Sequence, residues 1–437
     1  MTQDLPQPGA ARVAAAVLAL ALLVVAAGEF VVRGPLQSVQ GRSGDLALIW
    51  IQVRTWLDGR NPYDHQQLQQ TWRDGGGQID TTFVRTRWPA VYPPTMHPLM
   101  APVAALPWAA AKSVWLAVNL LALTMLIVWV MPLCGVPRSL PHRVTLTAVI
   151  LAMAPVHAGL ATGQLSIVVM AMALGACWAG DRGRWWLAAL LLGLAMALKP
   201  QVAGVFWLYL LYKRQWHACA AACVVTVLVG AVGVGQLYVH DIPWLTDLRA
   251  NLYDNSHGGS GDPTLINPVR FQLINLHYAL HGLTDSRALV NAIVLVVAIA
   301  ACAGAVLAAM ITRTAVCDVA LLSVIAVASV LAAYHRIYDA VLLAVPIGLL
   351  IGQWGRWSRG PWWLCALCCA TFLTPGAALL HELVKRGWVG EVVSGAWWWR
   401  HVVMPHQNWA LCVLMLGLLW QMGIGCRRKF EALAGRA

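Results

Sequence analysis

The sequence predicts an all-α, polytopic membrane protein. Of its 437 residues, 59% are hydrophobic and only 11% are charged, against about 25% charged in a soluble domain. The apolar residues gather in about twelve runs. The short connections that alternate between those runs are basic, as expected of loops held on the cytoplasmic side.

The runs fall near 12–32, 113–132, 144–160, 164–179, 185–199, 202–212, 216–238, 288–311, 317–333, 339–353, 362–380 and 406–426. A crossing helix needs roughly 20 apolar residues. The runs 164–179, 185–199 and 202–212 fall short, so the sequence predicts tilted, Pro200-broken or re-entrant segments there. Arg12 opens the first run, which is long for a signal-peptide core and lacks a following small-residue cleavage site, so it reads as helix 1. With the N-terminus inside, Arg138, Arg143, Arg182, Arg184, Lys213, Arg214, Arg313, Arg356 and Arg359 all fall in short inner loops. Arg427, Arg428 and Lys429 then make the C-terminus cytoplasmic as well. Three long loops, 33–112, 239–287 and 381–405, lie outside. The chain divides into a core, 1–358, and a C-terminal pair of helices with their outer loop, 359–437.

The net charge of +12 suits anionic headgroups and lipid phosphates; it does not point to nucleic acid. The 11 cysteines sit almost entirely in apolar runs, which argues against a disulfide framework. Cys365, Cys368 and Cys369 read as small helix-packing residues. Most of the 23 tryptophans, including Trp397–Trp399, suit interface anchors.

Four stretches interrupt this apolar pattern on the outer side. Asp45 precedes a helical stretch, Leu46 to Leu57, that ends at Asp58-Gly59; it reads either as a helix N-cap or as a general base. His157 to Ser166 reads as a hairpin around Gly163-Gln164. Lys199-Pro200-Gln201 closes an apolar run, where the lysine either snorkels or meets a phosphate. His335, Arg336, Tyr338 and Asp339 crowd beside the bilayer, where unpartnered polar groups are costly. Arg336 and Asp339 have the spacing of a helical ion pair, and His335 with Arg336 suits a phosphate. The glycines of 239–287 follow no strand and form no phosphate-binding motif.

In their order these features resemble glycosyltransferase family 87, polyprenol-phosphate-dependent and mannosyltransferase-like membrane proteins of the type C superfamily. The resemblance rests on Asp45, Gly59-Arg60-Asn61-Pro62-Tyr63, Tyr92-Pro93-Pro94 with Pro98 and Pro102, Gly163-Gln164, Lys199-Pro200-Gln201 and His335–Asp339, over roughly 40 to 350. It implies a type C bundle of about twelve transmembrane helices with periplasmic loops in the cell's inner (plasma) membrane. It implies a hexosyl donor linked to a polyprenyl phosphate, a glycolipid or glycan acceptor, and inverting transfer on the periplasmic face with Asp45 as base. Lys199, His335 and Arg336 then bind the donor phosphate. Tyr63, Arg87, Tyr92, His97, Gln164, Gln201, Tyr338 and Asp339 become substrate contacts. Some type C enzymes use a divalent metal; beyond Asp45, Asp58 and Asp64 this sequence shows no carboxylate cluster, which predicts chemistry without metal or cofactor. The competing reading is a transporter or lipid flippase. It would place polar groups at the membrane midplane and show repeated halves, and neither pattern is evident here.

Overall fold

In a computed structural model, which describes residues 9–75 and 90–434, the chain is helical throughout. Among the described residues the β pairing is one antiparallel bridge, Leu273 with Arg336. In chain order, α1 is Gly9–Arg33, α2 Gly44–Leu57, α3 His65–Asp74 and α4 Met96–Ala104. Next come α5 (Trp108–Leu133), α6 (Leu140–Ala152), α7 (Ala154–Thr162) and α8 (Ser166–Gly180). They are followed by α9 (Trp185–Leu198), α10 (Pro200–Tyr212), α11 (Trp216–Val239) and α12 (Trp244–Ser256). The short α13 (Leu276–Leu280) precedes α14 (Arg287–Thr312) and α15 (Ala315–Ala332). A 3-10 turn, Ile337–Leu343, runs into α16 (Ala344–Gly352). The chain then forms α17 (Arg359–Ala370), α18 (Ala377–Lys385) and α19 (His406–Ala434).

The helix ends follow local chemistry. Asp64, Asn275, Ser286 and Thr314 each accept a backbone N–H of the first turn of α3, α13, α14 and α15, the role these side chains prefer. Gly163 closes α7 at φ 71°, a left-handed conformation that suits glycine.

α8, α15 and the 337–352 segment are almost wholly buried and form the centre of the bundle. α1 is the opposite case, with Val13, Val17, Leu18, Val24 and Val25 all at least 60% exposed. So many aliphatic side chains facing outward along one helix require an apolar solvent.

Six helices are long and apolar enough to cross a membrane, or eight if the bent pairs α6–α7 and α17–α18 each form one crossing. That is fewer than the twelve apolar runs suggest, and length is the reason. α8, α9 and α10 have 15, 14 and 13 residues, which reach roughly 20 Å at about 1.5 Å per residue. A hydrocarbon core is about 30 Å thick.

The two ends of the bundle carry different chemistry. At one end Lys213 binds Asp181 at 3.6 Å and Asp318 at 2.8 Å, and Tyr212 donates to Asp318 at 2.8 Å. These contacts join three connections that the basic-loop pattern places on one side. At the other end meet Asp45, the 90–95 loop, the α7–α8 corner, Lys199 and the 334–339 stretch.

Candidate active site

Pro200 starts the construction of this end. It lacks an N–H and disfavours helical backbone at the residue before it. Lys199 therefore leaves the helix, at φ −151° and ψ 81°, between α9 and α10. Its side chain is 5% exposed. The ammonium donates to Asp339 Oδ1 at 2.5 Å and to Ser166 Oγ at 3.0 Å. The Ser166 hydroxyl donates a hydrogen bond to the same Asp339 oxygen. His335 Nδ1 lies 3.0 Å from Asp339 Oδ2, and the Arg336 backbone N–H reaches that oxygen at 3.4 Å. A buried carboxylate is tolerable only when paired and hydrogen-bonded, and Asp339 has four donors. The Lys199 ammonium also lies 4.9 Å from the centre of the Tyr338 ring.

This network corrects one expectation. Arg336 and Asp339 do not pair through their side chains. Arg336 is extended, at φ −104° and ψ 169°, and is tied to Leu273 by the bridge, with Ile274 N–H donating to the His335 carbonyl at 3.1 Å. Asp339 turns inward to Lys199 and His335. The Arg336 guanidinium turns the other way, half-buried, and its Nε has no partner among the described residues. Burial works against its charge, but the phenol groups of Tyr334 and Tyr338, the latter within hydrogen-bond reach, and the Asp45 carboxylate outweigh it and hold its pKa up.

Asp45 stands in the first turn of α2, behind the N-cap Ser43, which makes no side-chain cap. The N-cap reading of Asp45 therefore does not hold. The carboxylate is half-buried and has no hydrogen bond or ion pair among the described residues. Its field reaches Tyr92, Tyr334 and Arg336, and with burial it raises both phenols. Asp45 and Arg336 are thus close enough to feel each other and too far apart to form an ion pair.

Two packing contacts fix the Asp45 side of this mouth. A Cβ at Gly163 would stand 2.6 Å from Leu46 Cβ, so the α7–α8 corner lies directly against the start of α2. The Trp115 indole donates to the Gly163 carbonyl at 2.8 Å. Next to that corner, Tyr92 donates to Gln164 Oε1 at 3.3 Å.

Other predicted residues stand behind this mouth. Tyr63 is 2% exposed and donates to the Tyr92 carbonyl at 2.9 Å. Gln52 donates to the same carbonyl at 3.1 Å and lies 3.2 Å from His97 Nε2. His97 is fully buried beside Trp56 and Tyr63. The Gln201 carbonyl accepts from Ser329, whose Oγ is 3.5 Å from His335 Nε2. Arg87 lies outside the described residues. Ser166 and Tyr334 are components that the sequence reading missed as individuals. Ser166 ends the 157–166 stretch already singled out and Tyr334 directly precedes His335, which was the available signal. Among the described residues, no group of three or more His, Cys, Asp or Glu side chains is placed to hold a metal.

A multi-pass helical membrane protein with, at one end of its bundle, a carboxylate and a guanidinium that have no ion-pair partner among the described residues is the class defined so far. The chain belongs to glycosyltransferase family 87, whose model matches residues 90–334, more than half of its length. It is 31% identical over 204 residues to a polyprenol-phosphate-mannose-dependent alpha-(1-2)-phosphatidylinositol mannoside mannosyltransferase of Mycobacterium tuberculosis, covering 43% of this chain and 44% of that relative. A protein of the same description from Mycolicibacterium smegmatis is 29% identical over 211 residues, 45% of each chain. A pentamannoside mannosyltransferase of M. tuberculosis is 31% identical over 157 residues, 35% of each. The chain thus aligns with less than half the length of these relatives. No solved structure matches it.

Proposed function

We propose that this protein is a membrane glycosyltransferase that moves a hexose from a polyprenyl phosphate to an acceptor hydroxyl, with inversion. The observation that carries this reading is the shared mouth of Asp45 and Arg336 in a chain of this family. The relatives named above depend on polyprenol-phosphate-mannose and act on phosphatidylinositol mannosides, which favours a mannose-like sugar and a glycolipid acceptor.

The chemistry follows from the two charges. Asp45 accepts the proton of the acceptor hydroxyl, whose oxygen bonds to the anomeric carbon on the face opposite the phosphate. The anomeric C–O bond breaks as that bond forms, and the electron pair leaves on the polyprenyl phosphate. Arg336 stabilises the growing negative charge, the point at which a fixed cation contributes most. Its planar fork suits a phosphate. Lys199 and His335, expected on the phosphate from sequence, support it from behind: their donors to Asp339 fix the turn that presents Arg336 and Tyr338. Tyr92, Tyr334 and Gln164 line the space between base and cation.

In this reading the chain crosses the plasma membrane twelve times. The short helices count as full passages, both termini are cytoplasmic, and the mouth opens outward. The test is transfer from a radiolabelled polyprenyl-phosphate hexose by purified Asp45→Asn. The expected loss is at least about 100-fold, the scale of general-base catalysis, with insertion and folding intact. Unchanged turnover would remove Asp45 as the base and this mechanism with it.

A further inference from the structure

A second group of cations lies outside the mouth. Gly282 approaches His401 so closely that a Cβ there would overlap the imidazole, which joins the 239–287 loop to the 381–405 loop. Phe271 and His381 stack at 4.1 Å between ring centres across the same seam. Asn408 donates to the carbonyls of Leu273, at 3.3 Å, and Asn275, at 2.6 Å. This seam holds Arg270, Arg400 and His401. The Arg270 guanidinium stands 5.3 Å from the centre of the Tyr278 ring, and its Nη1 is buried with no hydrogen-bond partner. Arg400 is exposed and His401 half-buried.

Like charges gathered this way repel, and proteins normally interleave a carboxylate. Here none contributes. Besides burial, the groups that act on Arg270 are Tyr278 and Arg400, and those that act on His401 are Arg270 and Arg400. Among the described residues neither arginine has an ion-pair partner. A buried guanidinium edge left without an acceptor costs about 1–3 kcal/mol, more when charged, unless a ligand supplies the acceptor.

Two further observations restrict the ligand. Trp388, Trp397 and Trp398 stand exposed on the same loop, and exposed tryptophans flanking spanning helices sit at headgroup depth. Arg270 also lies only three residues before Leu273, the bridge partner of Arg336. Three residues reach at most about 11 Å, so the seam opens beside the proposed transfer site.

We propose that Arg270, Arg400 and His401 form a second anion site that holds the phosphodiester of a lipid acceptor while its sugar hydroxyl reaches Asp45. The inference rests on the glycosyltransferase reading for the word acceptor, while the anion site itself is tested without turnover. Arg400 and His401 lie beyond the stretch shared with the family model, which ends at 334.

The experiment measures binding of fluorescent phosphatidylinositol and phosphatidylcholine to the full-length protein in detergent micelles. Wild type should prefer phosphatidylinositol. Arg400→Gln, at an exposed position, should weaken that binding about tenfold, the equivalent of one charge-assisted hydrogen bond. Arg270→Gln with Arg400→Gln should abolish the preference, and Arg270→Lys should retain most of it. Arg336→Gln should weaken binding of polyprenyl phosphate and leave phosphatidylinositol binding intact. An undiminished preference in the Arg400→Gln protein would overturn the site. Displacement of phosphatidylinositol by micromolar inorganic phosphate would equally overturn the lipid assignment, in favour of a soluble anion. Failure of the Asp45→Asn test with the lipid preference intact would remove the transferase reading and leave the anion site standing.

Discussion

Lys199 carries a charge that the bundle itself neutralises. In the sequence it looked available, a lone cation between two apolar runs, because its partners lie 33 and 140 positions away. Asp339 was visible as a costly polar group needing company, but the nearer Arg336 seemed the natural partner. Three-dimensional burial decided otherwise: the carboxylate took the fully buried cation, and the exposed edge kept the guanidinium. Lys199→Met alone should therefore strand a buried carboxylate and cost about 3–5 kcal/mol. Lys199→Met with Asp339→Asn should recover much of that loss in the thermal midpoint of purified protein. If Arg336 alone meets the phosphate, the double variant also keeps polyprenyl phosphate binding within a few-fold. A double variant that is folded but unable to bind would return Lys199 to direct contact. Asp45 stands out in the sequence as an acid just past helix 1, but there it suits a helix N-cap as well as a base, and only the placement of Ser43 at the cap removes the first use. Its neighbours Tyr334 and Arg336, nearly 300 positions distant, were not visible from its own surroundings.

At the scale of elements, α2, α4 and the 90–95 loop form one unit around Gln52, Tyr63 and His97. The sequence delimits α2 well: its expected start at Leu46 is two residues late, and its end before Asp58-Gly59 is correct. The interior position of His97 was not legible. A histidine among prolines in a long outer loop looks solvent-facing until Trp56 and Tyr63 close over it. Burial pushes its pKa down to about 3, below the ordinary 6.5 of the unfolded chain. The unfolded state therefore binds the proton first as pH falls. The stability of this unit is intact above pH 6.5 and declines below it, by about 1.4 kcal/mol per pH unit until the folded imidazole itself titrates. Between pH 6.5 and 5 that amounts to about 2 kcal/mol. His97→Gln should be less stable near pH 7.5 yet lose less on acidification, as measured by midpoint against pH. A parallel decline in both proteins would assign the acid sensitivity elsewhere.

At the scale of the whole molecule, helical class and membrane residence were legible because composition alone compels them. The number of crossings was harder to read. An apolar run reports that a segment is hidden from water, and protein hides α8 as effectively as lipid does. The contacts of Lys213 with Asp181 and Asp318 gather at one end of the bundle the loops that their basic residues group together. Labelling of intact cells with an impermeant maleimide tests the full topology. Cysteine at Thr246 or Ser286 should react, and cysteine at Ser139 or Arg356 should not. Labelling of Ser286→Cys together with Ser139→Cys would break the alternation on which twelve passages depend.

The shortness of α9 and α10 has a mechanical corollary. Both expose side chains to the surroundings, among them Trp186, Leu190 and Leu208, yet neither matches a relaxed bilayer in height. A membrane meeting a short wall compresses toward it, at a modest cost per ångström. Here the compression lies beside Lys199, where α9 ends and α10 begins. On the proposed reading, a dimple at that spot would lower the outer headgroups toward the bundle's mouth and tip a long-tailed lipid toward Arg336 before it arrives.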